Sequence, residues 1–143
     1  MQYSSAVIIP TCGIMNTIGE SATSFFMNSS PENIYVIHWN PEDKEEMRKT
    51  REKVLKAKRI LEIEKDEEIN LLEVFSDNPV GFGYAVNKAF GFLVNHVGGK
   101  DNLPSIIVVA NDDITVPVNW LVRFRESIET QRICTKASIH GVS

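Results

Sequence analysis

Ile106-Ile107-Val108-Val109-Ala110-Asn111-Asp112-Asp113 is the stretch that decides the fold. Its apolar, β-branched run is too short for a helix of ordinary length and has no polar alternation. That pattern predicts a strand buried on both faces, as in a parallel sheet. The run passes without a break into two adjacent carboxylates, so the strand ends where polar chemistry begins.

Working outward, three more segments read the same way. Ala6-Val7-Ile8-Ile9 is a β-branched run stopped by Pro10, and Ile34-Tyr35-Val36-Ile37 is its twin. Ile69 to Phe75 gives a third strand, which makes 106–110 the fourth. Between them lie helical signals. Thr17-x-x-Glu20 is a capping-box pattern that predicts a helix to about Asn28. Asn40-Pro41-Glu42-Asp43 predicts a second start, with Asn40 as cap and Pro41 at the first helical position. The helix after it carries a thin apolar seam (Met47, Val54, Leu55, Leu61) and is otherwise charged, so it lies on the outside. Phe82, Ala85, Val86, Ala89, Phe90, Leu93, Val94 and Val97 recur at three- and four-residue steps, a stripe expected to pack onto the sheet until Gly98-Gly99 ends it. A last helix is expected from near Val118, with Trp120, Leu121, Phe124 and Ile128 on one side.

The order β-α-β-α-β-α-β-α predicts an α/β fold: a mostly parallel sheet with helices on both faces and right-handed crossovers. The 143 residues suit a single domain, 1–143, and an apolar fraction of 43% supplies a core without disulfides. A net charge of −4 argues against nucleic acid as a partner, since that binding rests on neutralising phosphates. The basic residues of 44–59 alternate with Glu45, Glu46 and Glu52, which reads as a solvated helix face. Cys12 and Cys134 have no metal-ligand spacing and are expected to be reduced, partly buried thiols. No signal peptide is evident, and no stretch reaches the roughly 20 apolar residues that span a bilayer. The expected location is the cytoplasm, with peripheral membrane association left open.

Ligands of open parallel sheets bind beyond the carboxyl ends of the strands. Four loops therefore carry the candidate chemistry: Pro10–Gly13, His38–Asn40, Ser76–Gly83 and Asn111–Ile114. Asp112 and Asp113 leave the most apolar strand with no Lys or Arg near them in sequence. Adjacent carboxylates raise one another's pKa unless a cation or donors offset them, and an all-oxygen site suits Mg2+ or Mn2+. The competing reading is a polar strand exit with one Asp capping the next turn. Asn78-x-x-Gly81-Phe82-Gly83 lies between a strand and a helix, where glycines admit close approach and the helix start favours anions. Turn chemistry alone would also ask for Asn, Pro and Gly there. Asn87 is one turn further along, on the polar side. His38 could act as a base or ligand, or as a hydrogen-bonded structural residue. Trp39 could stack on a ring or close the edge of the core.

Taken together these segments resemble the family 2 glycosyltransferases, which have the GT-A fold, with rhamnosyltransferase-like members nearest. Val7-Ile8-Ile9-Pro10-Thr11 resembles the opening strand and Pro-Thr turn, and Ile34–Ile37 the second strand. Residues 78–87 resemble the Asn-x-Gly-Phe-x-x-Ala-x-Asn segment. Asn111-Asp112-Asp113, with Val116-Pro117 and Trp120-Leu121, is similar to the metal motif and the Pro-x-x-Trp-Leu that follows it. The resemblance runs over nearly the whole chain.

It implies the nucleotide-binding half of a metal-dependent transferase, moving a sugar from a nucleoside-diphosphate sugar to a glycan, lipid or protein acceptor with inversion. Thr11 would contact the base or ribose, and His38 or Asn40 would replace the acidic residue usual after the second strand. Asp113 would hold Mn2+ or Mg2+ against the donor's two phosphates, and Asp112 would contact the ribose or sugar phosphate. Asn111 stands where many members have their first Asp. Asn78, Asn87 and the 81–83 backbone would shape the pocket. The second strand ends in His-Trp-Asn instead of Asp-x-x-Ser-x-Asp, and Val80 is an insertion in the Asn-x-Gly step. The chain ends at Ser143, about where the family's acceptor half begins, so a fragment of a longer enzyme or a minimal one is expected. Nothing after Asp113 supplies a general base, because Glu126 and Glu129 have helix-surface spacings. Two rivals remain. One is a non-catalytic module that binds a sugar nucleotide. The other is a receiver- or flavodoxin-like protein, in which Asp77 would play the acidic part.

Overall fold

The computed structural model describes residues 2–13 and 15–134. Its elements are β1 (Ser5–Thr11), α1 (Glu20–Met27), β2 (Asn33–Trp39), α2 (Lys44–Lys65), β3 (Asn70–Phe75), α3 (Phe82–Val97), β4 (Ile106–Val109) and α4 (Trp120–Cys134). The four strands form one sheet in the order β3-β2-β1-β4, and every pairing is parallel.

Alternation along β1 and β2 explains why the middle of both strands is apolar. Val7, Ile9, Tyr35, Ile37 and Trp39 face one layer, with Ala22, Phe25 and Phe26 of α1, Val54 of α2 and Trp120 of α4. Ala6, Ile8, Ile34 and Val36 face the other, where Ala89 and Leu93 of α3 cover them. The sheet is thus clothed on both sides, as the runs of β-branched residues require. The chain winds outward from β1 through β2 to β3. It then crosses back over the opposite face, by way of α3, to lay β4 on the far side of β1. That reversal of strand order puts a topological switch point between β1 and β4.

Strand order also disposes of one rival. In the flavodoxin-like order the third strand sits beside the first, whereas here β3 pairs with β2. The order observed is that of a Rossmann-like half-sheet. It carries no receiver topology for Asp77 to serve.

Two helix starts differ from expectation. The Thr17 capping box does not form: residues Met15–Gly19 make a π-helical turn, Gly19 opens α1 without a side-chain cap, and the Thr17 hydroxyl reaches Asp112 instead. At α2 the cap is Asp43, whose carboxylate accepts from the backbone N–H groups of Glu45 and Glu46 at 3.0 Å each. Asn40 is drawn away by a tertiary partner described below. The charged α2 keeps its outer position, with Thr50 and Val54 its fully buried residues. It is tied to the sheet by Arg51, which grips Glu73 of β3 through two bonds at 2.6 and 2.8 Å.

Candidate functional site

The carboxyl ends of β1 and β4 stand side by side, and their loops meet. The Thr11 hydroxyl donates to Asp112 Oδ2 at 2.8 Å and accepts from the Gly13 N–H at 3.0 Å. Thr17 adds a longer contact to the same carboxylate oxygen at 3.4 Å. Gly13 is required here: its φ is +81°, and a Cβ would meet Met47 side-chain atoms at 2.9 and 3.0 Å. The turn after β1 therefore presses against α2, which fixes where Thr11 points.

Asn40, just past β2, binds the neighbouring loops together. Its backbone N–H donates to Thr11 O at 2.9 Å. Its side-chain amide donates to Val80 O at 2.7 Å and accepts from Val80 N at 3.0 Å, completing a two-point clasp. Val80, the residue that interrupts the Asn-x-Gly step, is therefore the residue the clasp holds.

These contacts enclose a cleft of about 330 Å3, lined by Pro10, Thr11, Cys12, Asn40, Val80, Phe82, Ala85, Asn111, Asp112 and Asp113. Thr11, Asn40, Asn111, Asp112 and Asp113 are thus brought together as the sequence suggested. Asp113 is exposed and makes no hydrogen bond or ion pair with a described residue. Asn78, Gly81, Gly83 and Asn87 are exposed but do not line this cleft. A Cβ on Gly81 or Gly83 would meet nothing within 4 Å, so neither position excludes a side chain by contact. α3 begins at Gly81 with no side-chain cap, which leaves its first-turn N–H groups to solvent or ligand.

His38 lies elsewhere. It shares the α3 face with Ile34 and Val36, is fully buried, and pairs through Nε2 with Ser76 Oγ at 2.9 Å. Lys88 donates to Phe75 O at 2.6 Å and to the same Ser76 hydroxyl at 3.2 Å. Burial first, and then the Lys88 charge, lower the His38 pKa from its usual 6.5, so the ring is neutral at physiological pH. Its Nδ1 has no hydrogen-bond partner among the described residues. Period-two alternation from Ile34 was the signal in the sequence that placed this side chain under α3. Trp39 closes the core edge: it is fully buried and donates its indole N–H to Glu73 at 2.9 Å.

Three contributors escaped the sequence reading. Phe82, expected in the apolar stripe, is 56% exposed at the cleft. Thr17 was read as a cap. Cys12 is exposed and lines the cleft, and its thiol pKa is pushed up by partial desolvation, then by Glu42 and Asp112. The Cys134 side chain lies outside the described residues.

Among the described residues, no three His, Cys, Asp or Glu side chains gather into a metal-binding group. The donor set on offer is Asp112, already engaged by hydroxyls through one oxygen, and the open Asp113. That set does not suit a cation held wholly by protein. It fits Mg2+ or Mn2+ that takes most of its ligands from phosphate and water. No helix of the described residues is long and apolar enough to cross a membrane. Compared with known proteins, the chain matches no protein-family model, no curated protein and no solved structure.

Proposed function

We propose that this chain is the donor-binding part of a glycosyltransferase that uses a nucleoside-diphosphate sugar with Mn2+ or Mg2+. One observation carries the reading: Thr11 and Asp112, 101 residues apart, are hydrogen-bonded at the switch point with Asp113 open beside them. A site of that kind has one carboxylate oriented by the fold and one left for a cation. The order of motifs, from the Pro-Thr turn to Asn111-Asp112-Asp113, supports the same assignment.

Each residue then has a task. Thr11 holds Asp112 in one rotamer, so that the carboxylate meets the ribose or sugar phosphate without reorganising. Asp113, with no partner among the described residues to compete, is the residue that would hold the cation. Bound there, the cation would neutralise the diphosphate leaving group as the glycosidic bond breaks. The uncapped start of α3 adds N–H groups and the positive end of a helix dipole to an anion site. Asn40 acts on the ligand indirectly, by holding the 78–83 loop. His38, buried beneath α3, is a structural residue in this reading. No residue is assigned as the general base.

The test is calorimetric titration with UDP and UDP-sugars, with and without Mn2+, repeated for Asp113→Asn. Metal-dependent binding that weakens by more than about tenfold in the variant is expected. Binding that ignores both metal and variant would end the proposal. Turnover of the donor by the purified chain separates a transferase from the rival non-catalytic binding module.

A further inference from the structure

The cleft is chemically divided. Thr11, Asn111, Asp112 and Asp113 supply oxygen and charge from the loops after β1 and β4. Val80, Phe82 and Ala85 supply an apolar side from the start of α3. Of the polar side chains in the lining, those of Thr11 and Asn40 are already committed, and the amide of Asn111 stands on the loop after β4 with the two carboxylates. The Thr11 hydroxyl donates to Asp112 and accepts from Gly13. The Asn40 amide both donates to and accepts from Val80. Phe82 is the opposite case: a large aromatic left 56% exposed beside acidic groups. Apolar surface of that size gains by being covered, and a planar ring covers it best.

We propose that Phe82 is the stacking platform for the base of the bound nucleotide, and that the site reads the base by its face and not by its edge. The proposal rests on the reading of the cleft as a nucleoside-diphosphate site. It adds that UDP, dTDP, GDP and ADP bind with comparable affinity, so selectivity for the donor lies in the sugar and not in the base. Every base has a π face, and stacking on an aromatic side chain is tolerant of sequence for that reason.

The experiment titrates the chain with the Mn2+ complexes of these four diphosphates and of inorganic pyrophosphate, which carries the charge without a base. The four nucleotides should agree within about threefold, and each should bind about tenfold or more tightly than pyrophosphate. Phe82→Ala should abolish that advantage while leaving pyrophosphate binding as it was, and Phe82→Trp should restore it. Phe82 is exposed, so neither substitution threatens folding. The proposal is overturned, with the donor site itself surviving, if one nucleotide binds more than about threefold better than the rest. It is overturned in the same way if nucleotides bind Phe82→Ala as well as they bind the original chain. Binding of neither pyrophosphate nor any nucleotide would overturn both the proposal and the functional reading beneath it.

Discussion

Asn40 holds Val80 by both its N–H and its carbonyl, at 3.0 and 2.7 Å, and so replaces a strand partner for a loop that has none. Asn40→Ala leaves the N–H and carbonyl of part-buried Val80 without their side-chain partner. A loss of about 1–2 kcal/mol is expected, read as a lower urea midpoint at unchanged slope. Hydrogen exchange should quicken locally in residues 77–83. Asn40→Asp keeps the acceptor for Val80 N–H and loses the donor to Val80 O, so its effect should be no smaller.

Thr11→Val removes the hydroxyl that orients Asp112 while keeping the β-branched shape. The fold should persist, although Gly13 N–H loses its acceptor. If the cleft is the donor site, affinity for Mn2+–UDP should fall by about five- to tenfold, from the loss of one charge-assisted hydrogen bond. Calorimetry reads the fall directly, and unchanged affinity would show that Asp112 needs no such support.

Gly13→Ala should destabilise by about 1–3 kcal/mol, because it adds both a left-handed backbone cost and a clash with Met47. Adding Met47→Ala removes the Cγ contact at 2.9 Å but keeps the Cβ contact at 3.0 Å and the φ of +81°, so the double variant should recover only part of the loss relative to Met47→Ala alone.

Burial of neutral His38 makes stability depend on pH. Its folded pKa lies below the 6.5 of the free side chain, so between those two values the unfolded chain binds more protons. Stability from this group is therefore complete above pH 6.5 and declines as pH falls below it, at up to about 1.4 kcal/mol per unit. Urea melts at pH 7.5 and 5.5 should show the drop. His38→Gln should flatten it, since the carboxylates with lowered pKa, Glu45 and Glu62, respond only at lower pH.

Much of the fold was legible because it rests on period and composition. The β-branched runs at 6–9 and 34–37 lie in strands buried on both faces, and the 82–97 stripe is α3. The run at 106–110 supplies β4, but at the end of the sheet only Val108 within that strand is fully buried. What stayed hidden depends on competition between local and distant partners. Asn40 and Asp43 are both good caps, and Asp43 caps because Val80 claims Asn40. Thr17 has a capping pattern, yet its hydroxyl meets a carboxylate 95 residues away. Phe82 fits a helical stripe by spacing, but in the first turn of α3 it is Ala85 that is buried while Phe82 faces the cleft, 56% exposed. The convergence of Thr11, Asn40 and Asp112 on one cleft followed from strand order, which spacing along the chain does not reveal.

The pairing of β1 with β4 has a temporal side. β1 is central, yet its second neighbour lies about a hundred residues downstream, with Ser5 opposite Ile106. Strands β1 to β3 can meet through successive crossovers of modest loop length, whereas docking β4 closes the longest loop of the sheet. Such closure is entropically slow and is favoured late in folding. Thr11 therefore waits for Asp112, and a nascent chain has no cleft until β4 is added. If the cleft is the donor site, ligand binding becomes a stopwatch for the docking of β4, and a refolding trace followed by bound nucleotide should lag one followed by burial of Trp39.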